Sequence, residues 1–206
     1  MKHTFMAIAL ATLTASTQAL AAAEPLKTQA PGFYRTMLGQ TEVTVLNDGT
    51  VDLPVDQLLQ QDPAKTIAAL QQMHQSAPLE TSVNAYLINT GKKLVLIDVG
   101  AGSLFGPTLG NVSKNLVLAG YTPEQVDEIY ISHMHADHVG GRSKDGKMVY
   151  PNAIVRTDAT EAAYWLSEAE MAKAPDDKKG FFKSAMASLK PYQTANRFKT
   201  FSGKTE

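Results

Sequence analysis

The sequence predicts one mixed α/β domain, and three observations carry that expectation. Short apolar runs rich in β-branched and aromatic residues alternate with stretches of helical period. Gly, Pro, Asn and Asp fall between these runs as punctuation. No repeat, low-complexity tract or polar linker divides the 206 residues, a length suited to a single core. Charge is balanced, with 19 basic and 20 acidic residues, so neither a nucleic acid nor an anionic membrane is expected as partner. Cysteine is absent, which excludes thiolate chemistry and leaves His, Asp and Glu as metal ligands.

The elements follow in chain order. Lys2, the apolar run Phe5–Leu13 and the small residues at 19–23 form the pattern of a secretory signal peptide, with cleavage after Ala21 or Ala23. The apolar run is shorter than the roughly 20 residues of a membrane-spanning helix. An exported, periplasmic protein beginning near Glu24 is therefore expected, with no membrane attachment after cleavage. Two strands are expected at 33–38 and 42–47, turning at Asn47-Asp48-Gly49. Asp62 as cap and Pro63 in the first turn open a helix whose apolar face is Ile67, Leu70 and Met73, with His74 at its end as a surface or packing residue rather than a ligand. Strands flank Asn89-Thr90-Gly91, the second of them apolar on both faces, as in a covered sheet. Val112, Leu116 and Ala119 mark a helix ending at Gly120, and Thr122-Pro123-Glu124-Gln125 starts another short one. Strands follow at 128–132 and 152–157. Asp158 caps the next helix with Glu161 at its third position, and a polar stretch loops outward after it. A helix at 176–190 buries Phe182, Met186 and Leu189 and stops at Pro191, and a last strand starts near 197.

The chemistry concentrates in "ISHMHADHVGG", residues 131–141, which holds three of the five histidines. In extended backbone after a strand, His133 and His135 share one face. A bend would bring Asp137 and His138 to the same centre, and Gly140-Gly141 permit close backbone approach while arguing against a helix here. Imidazole and carboxylate together suit Zn, Mn, Fe or Co rather than a pure Ca or Mg site.

These residues resemble the metallo-β-lactamase superfamily. "HMHADH" fits its HxHxDH signature, and "LVLIDVGAG" (94–102) fits the strand and Asp-bearing loop upstream. The stretches "APLETSVNAYLINTGKKLVLIDVGAGSLFGPTLG", "AGYTPEQVDEIYISHMHADHVGG" and "KAPDDKKGFFKSAMASLKPY" resemble exported organophosphate hydrolases of the methyl parathion hydrolase type. The resemblance implies the N-terminal portion of a four-layer αββα sandwich. It implies His133 and His135 as ligands of one divalent metal and Asp137 and His138 as ligands of a second, zinc first among candidates. Asp98 would hold the metal loop from behind. Asp137 is expected first as a ligand, with orienting the attacking hydroxide or taking its proton as its alternative catalytic role. In that family a hydroxide bridging the metals attacks phosphorus or a carbonyl. Phe105, Trp165 and Phe181 stand where an aromatic leaving-group pocket is expected. Trp165 equally fits a buried stripe with Ala162 and Leu166, and Phe182 fits the core.

The family's further ligands, two His and a bridging Asp, lie downstream of the signature, and no histidine follows His138 here. Residues 24–206 are therefore expected to be an incomplete, C-terminally truncated domain with at best a partial metal site. The full-length parent is expected to be a metallohydrolase, with a homodimer as its candidate assembly. Phosphotriester hydrolysis leads, a lactone or aryl ester is the alternative substrate, and a non-catalytic metal-binding fragment is the alternative from another class.

Overall fold

The structure, a computed structural model, describes residues 23–203. The signal-peptide expectation falls almost wholly on residues 1–22, outside the described residues. Strands β1 (Phe33–Leu38) and β2 (Thr41–Leu53) form an antiparallel hairpin. Its tight turn is at Gly39, whose φ of +62° suits glycine. The expected turn at Asn47-Asp48-Gly49 is not one. β2 runs through it, and the register against the next strand shifts between Asn47 and Gly49 as a bulge. The reason is Asp48, whose buried carboxylate accepts hydrogen bonds from the amides of Ala101 (2.8 Å) and Val112 (3.0 Å). Turn chemistry here bends a strand rather than ending it.

Helix α1 (Val55–Leu58) leads to α2 (Pro63–Gln72), where Asp62 caps the amide of Ala64 at 2.9 Å. The expected apolar face of α2 is not its buried face: Ile67 and Met73 are exposed, and Thr66 is the buried residue, bonded by Gln61 at 2.7 Å. His74 is exposed just beyond the helix. Strand β3 (Leu79–Asn89) pairs with β2 and with β4 (Leu94–Ile97), both antiparallel. Helix α3 (Val112–Leu118) and a 3₁₀ turn at Pro123–Gln125, shorter than the expected helix, lead into β5 (Glu128–Ile131). Then come α4 (Ala136–Val139), a small hairpin of β6 (Ser143–Lys144) and β7 (Lys147–Met148), and β8 (Ile154–Asp158). Helix α5 (Ala159–Trp165), α6 (Glu168–Lys173), α7 (Lys179–Thr194) and β9 (Phe198–Phe201) complete the described chain.

Among the described residues the sheet has seven strands in the order β1-β2-β3-β4-β5-β8-β9, antiparallel up to β4 and parallel beyond it. One row of paired residues crosses six strands: Thr44, Leu87, Leu96, Ile129, Val155 and Phe198. All but Phe198 are buried, and they join Val112 and Leu116 of α3 and Ala185, Leu189 and Tyr192 of α7 in the core. Period-2 alternation along the strands thus meets period-3.6 faces on the helices. On the opposite face Val95 and Ile97 are only half-buried, so the expected double cover of β4 is complete on one side alone.

Two expectations near the C-terminus are corrected. The stretch after α5 is not an outward loop: Ser167 caps α6 by accepting from the amide of Glu170 at 3.2 Å. Pro191 lies inside α7 instead of ending it. Tyr192, next in the chain, is buried, accepts from the amide of Tyr150 at 3.1 Å and donates to the carbonyl of Arg142 at 3.1 Å. That anchorage holds the last turn against the local preference of proline.

Candidate metal centre and its aromatic cavity

Parallel neighbours β4, β5 and β8 end on the same side of the sheet, where open α/β sheets place their sites. Asp98 follows β4 and Ser132-His133 follow β5. Asp98 adopts a φ of +58°, a conformation that Asp tolerates better than most residues. Its Oδ1 accepts from the Ser132 amide at 2.8 Å, and its Oδ2 accepts from the Ser132 hydroxyl at 2.7 Å. The same Oδ2 is 2.9 Å from Nδ1 of His138. One nearly buried carboxylate therefore ties the start of the cluster to its end.

The stretch after His135 does form helix, against expectation, but only one turn of it. His135 stands at the N-cap, and its carbonyl accepts from the amides of His138 (3.0 Å) and Val139 (3.1 Å). Gly140 and Gly141 come too late to prevent that turn. They allow close packing instead, because a Cβ on either would overlap the carbonyl of Ala101 or Val99. Met134, between the two leading histidines, is buried in the core. Its amide donates to Oε2 of Glu161 on α5 at 3.0 Å.

Three rings and a carboxylate come together. The centroids of His133 and His138 are 3.9 Å apart, and those of His133 and His135 are 4.8 Å apart. Nε2 of His138 is 3.1 Å from Oδ2 of Asp137. Burial pushes the His138 pKa down, but its hydrogen bonds to Asp137 and Asp98 outweigh burial and lift it to about 9. Burial is the largest single influence on the Asp137 carboxyl and would raise it, but the hydrogen bond to His138, the attraction of that imidazole and a backbone hydrogen bond together hold the carboxyl below its ordinary value. His133 is pushed down by burial first and then by its imidazole neighbours. The pair Asp137–His138 thus holds a proton between two atoms that are both natural metal donors.

The donors fit a divalent transition metal in chemistry. Two ligands about 2.0–2.1 Å from a tetrahedral ion stand roughly 3.3 Å apart, close to the 3.1 Å separating His138 from Asp137. Nδ1 of His138 is already engaged by Asp98, which leaves Nε2 to face that position. Among the described residues, however, no three His, Asp or Glu side chains are arranged around a single metal position. The donors stand as neighbouring pairs.

A cavity of about 1080 Å³ opens beside them, lined by His135, Asp137 and His138 together with Phe105, Trp165 and Phe181. His135 clusters with two aromatic rings, edge-on to Trp165 at 5.2 Å and tilted against Phe181 at 5.3 Å, and those two rings meet each other at 6.5 Å. Trp165 serves both readings of the sequence: it packs on the core and faces the cavity. Phe182 is buried, as its face of α7 predicted, and packs tilted against Trp165 with centroids 4.7 Å apart. Sequence reasoning missed Glu161, which it treated as helix-cap chemistry, and Ser132, which it treated as the end of a strand. Position before the first histidine was the available signal for Ser132. For Glu161 there was none, since its partner lies 27 residues away.

Residues 79–142 match the family model of the Metallo-beta-lactamase superfamily. Among solved structures, the chain is similar to the hydrolase AbOPH of the beta lactamase superfamily, with 38% identity and a TM-score of 0.81, over 87% of this chain and 64% of that one. It is also similar to AidC, a dizinc quorum-quenching lactonase solved with the product N-hexnoyl-L-homoserine. There the identity is 26% and the TM-score 0.74, over 85% of this chain and 63% of that one. The chain thus spans less than two thirds of the length of either structure. No curated protein matches it. The chain carries the metallo-β-lactamase fold shared with these hydrolases, and the segment that matches the superfamily is the one holding Asp98 and the histidine cluster.

Proposed function

We propose that this protein is a metal-dependent hydrolase acting on phosphotriesters with an aromatic leaving group. The observation that carries the reading is the placing of His135, Asp137 and His138 in the wall of a cavity whose other walls include Phe105, Trp165 and Phe181. In this reading His133 and His135 hold one divalent cation and Asp137 and His138 a second, zinc being the first candidate. Bound there, such cations would supply Lewis acidity and a water of lowered pKa. The chain's own residues do the rest. Asp98 sets the tautomer of His138 through Nδ1, and the aromatic walls orient the aryl group and exclude water. The likeness to AbOPH over most of the described chain supports the hydrolase reading.

A lactone is the second reading, favoured by the likeness to AidC. An acyl chain would lie along the same apolar walls. The signal-peptide pattern of residues 1–23 supports a periplasmic location for either activity. No helix of the described residues is long and apolar enough to cross a membrane.

The test is turnover of an aryl phosphotriester, an aryl ester and an acyl-homoserine lactone by zinc-loaded protein, with and without chelator. The reading expects chelator-sensitive turnover that is fastest on the phosphotriester and abolished in His133→Ala. Fastest turnover of the lactone selects the second reading. Metal bound without turnover of any substrate selects a non-catalytic metal-binding role. Activity that survives His133→Ala removes the cluster from the site.

A further inference from the structure

The histidine loop is held from two sides, and only one of them is the Asp98 side. Asp98 fixes Ser132 and His138, the outer residues of the cluster. Between them the backbone is pinned at Met134, the residue separating His133 from His135, by Oε2 of Glu161 at 3.0 Å. Glu161 sits at the third position of α5, where it could have reached back to close the helix start. Asp158 performs that capping, accepting from the amide of Thr160 at 2.7 Å. Glu161 is left with Met134 as its hydrogen-bond partner among the described residues. One turn later the same helix presents Trp165 edge-on to His135 at 5.2 Å. Helix α5 therefore touches the His133–His135 pair twice, once through a backbone hydrogen bond and once through a ring.

We propose that Glu161 is a positioning residue for the metal pair His133 and His135, acting through the Met134 amide. The inference rests on the metal-centre reading above and deepens it. Side chains two apart in extended backbone share a face only while the residue between them keeps its conformation. Freeing the Met134 amide lets the peptides on either side rotate, and both imidazoles swing with them. A carboxylate accepting from a backbone amide is also stronger than a neutral acceptor, and this one is half-buried, where water competes less.

The experiment compares wild type, Glu161→Gln and Glu161→Ala by three measurements. Gln keeps an oxygen acceptor at the same reach and Ala removes it. First, hydrogen exchange at the Met134 amide in the metal-free protein should rise at least about tenfold in the Ala variant and stay within about threefold in the Gln variant. Second, zinc affinity, read by competition with a chromogenic chelator, should fall about 10- to 100-fold in the Ala variant and recover in the Gln variant. Third, urea unfolding of the metal-free Ala variant should remain a cooperative transition of a folded protein, with a lower midpoint than the Gln variant, so that a general loss of fold does not account for the difference. Unchanged Met134 exchange in Glu161→Ala overturns the proposal whether or not metal binds. Changed exchange with equal zinc affinity in all three proteins also overturns it and leaves Glu161 a structural anchor only. A wild type that binds no zinc at all sinks the metal-centre reading, and with it this role.

Discussion

Replacing Asp98 by Asn separates the orienting role of this residue from its structural one. Asn tolerates the φ of +58° about as well as Asp, so the backbone conformation survives. Its one oxygen can still accept from the Ser132 amide, the 2.8 Å bond of the native carboxylate. Its NH₂ group then stands where Ser132 Oγ and His138 Nδ1 bring their protons at 2.7 and 2.9 Å. Ser132 can rotate to accept instead. His138 can accept only by giving up its Nδ1 proton and carrying a proton on Nε2, the atom that faces Asp137. The metal-free protein loses one charge-assisted hydrogen bond, on the order of 1.5–3 kcal/mol. Metal binding loses more, since the tautomer that frees Nε2 for metal must now point its Nδ1 proton at the NH₂ group, and about 10- to 100-fold in zinc affinity is expected. Urea denaturation of the metal-free protein gives the first quantity and chelator competition the second. A variant that is destabilised but binds zinc as tightly as wild type would refute the claim that Asp98 sets the His138 tautomer.

Four further outcomes follow from the geometry. Trp165→Ala removes the ring edge-on to His135, a pair worth about 0.5–1.5 kcal/mol, and should raise KM for an aryl phosphotriester up to about tenfold with a smaller change in kcat. Burial raises the Glu128 carboxyl, but hydrogen bonds from Lys93, Arg156 (2.8 Å) and Tyr130 (3.0 Å) outweigh it and hold the pKa below its ordinary 4.5. Its stabilisation is therefore complete above pH 4.5 and is lost as pH falls below that value, so Glu128→Gln should flatten the acid limb of a urea-midpoint profile between pH 7 and 3. Gly49→Ala places a Cβ against the Thr108 carbonyl at a φ of +133°, and a loss of about 2–4 kcal/mol is expected in urea unfolding. Burial pushes the Arg142 guanidinium down to about 9, and its nitrogens have no hydrogen-bond partner among the described residues, so Arg142→Met should stabilise by at least about 1 kcal/mol in a thermal melt. A fall in stability there would show that the guanidinium is paired in solution.

What the sequence made legible is what local chemistry decides. The strands carrying Leu87, Leu96, Ile129 and Val155 and the α3 face of Val112 and Leu116 could be read from local pattern, but the buried face of β4 could not, because all four of its residues are apolar. The caps at Asp62 and Asp158 reach amides two residues away and were legible for the same reason. The one-turn helix after His135 was misread because Gly140-Gly141 carry a general breaker signal. Here those glycines serve close packing against the carbonyls of Ala101 and Val99, about 40 residues earlier in the chain. Nothing adjacent to them says so.

The bulge at Asn47-Asp48-Gly49 depends on partners more distant still. Read locally, Asp-Gly after an alternating run is a turn, and the strand should end. Asp48 instead reaches two amides 53 and 64 residues onward, at the start of the loop after β4 and at the start of α3. One of them, Ala101, supplies the carbonyl against which Gly140 packs, directly after the helical turn carrying Asp137 and His138. The extra residue in β2 thus turns a carboxylate inward to brace the loop on which the histidine cluster rests. It also lets the strand continue to Val51 and Leu53, both in the wall of the aromatic cavity. A turn at that point would have removed the brace and that part of the wall together. The local signal was read as a turn, and only distant partners decide whether such a signal reverses a strand or bends it towards a site.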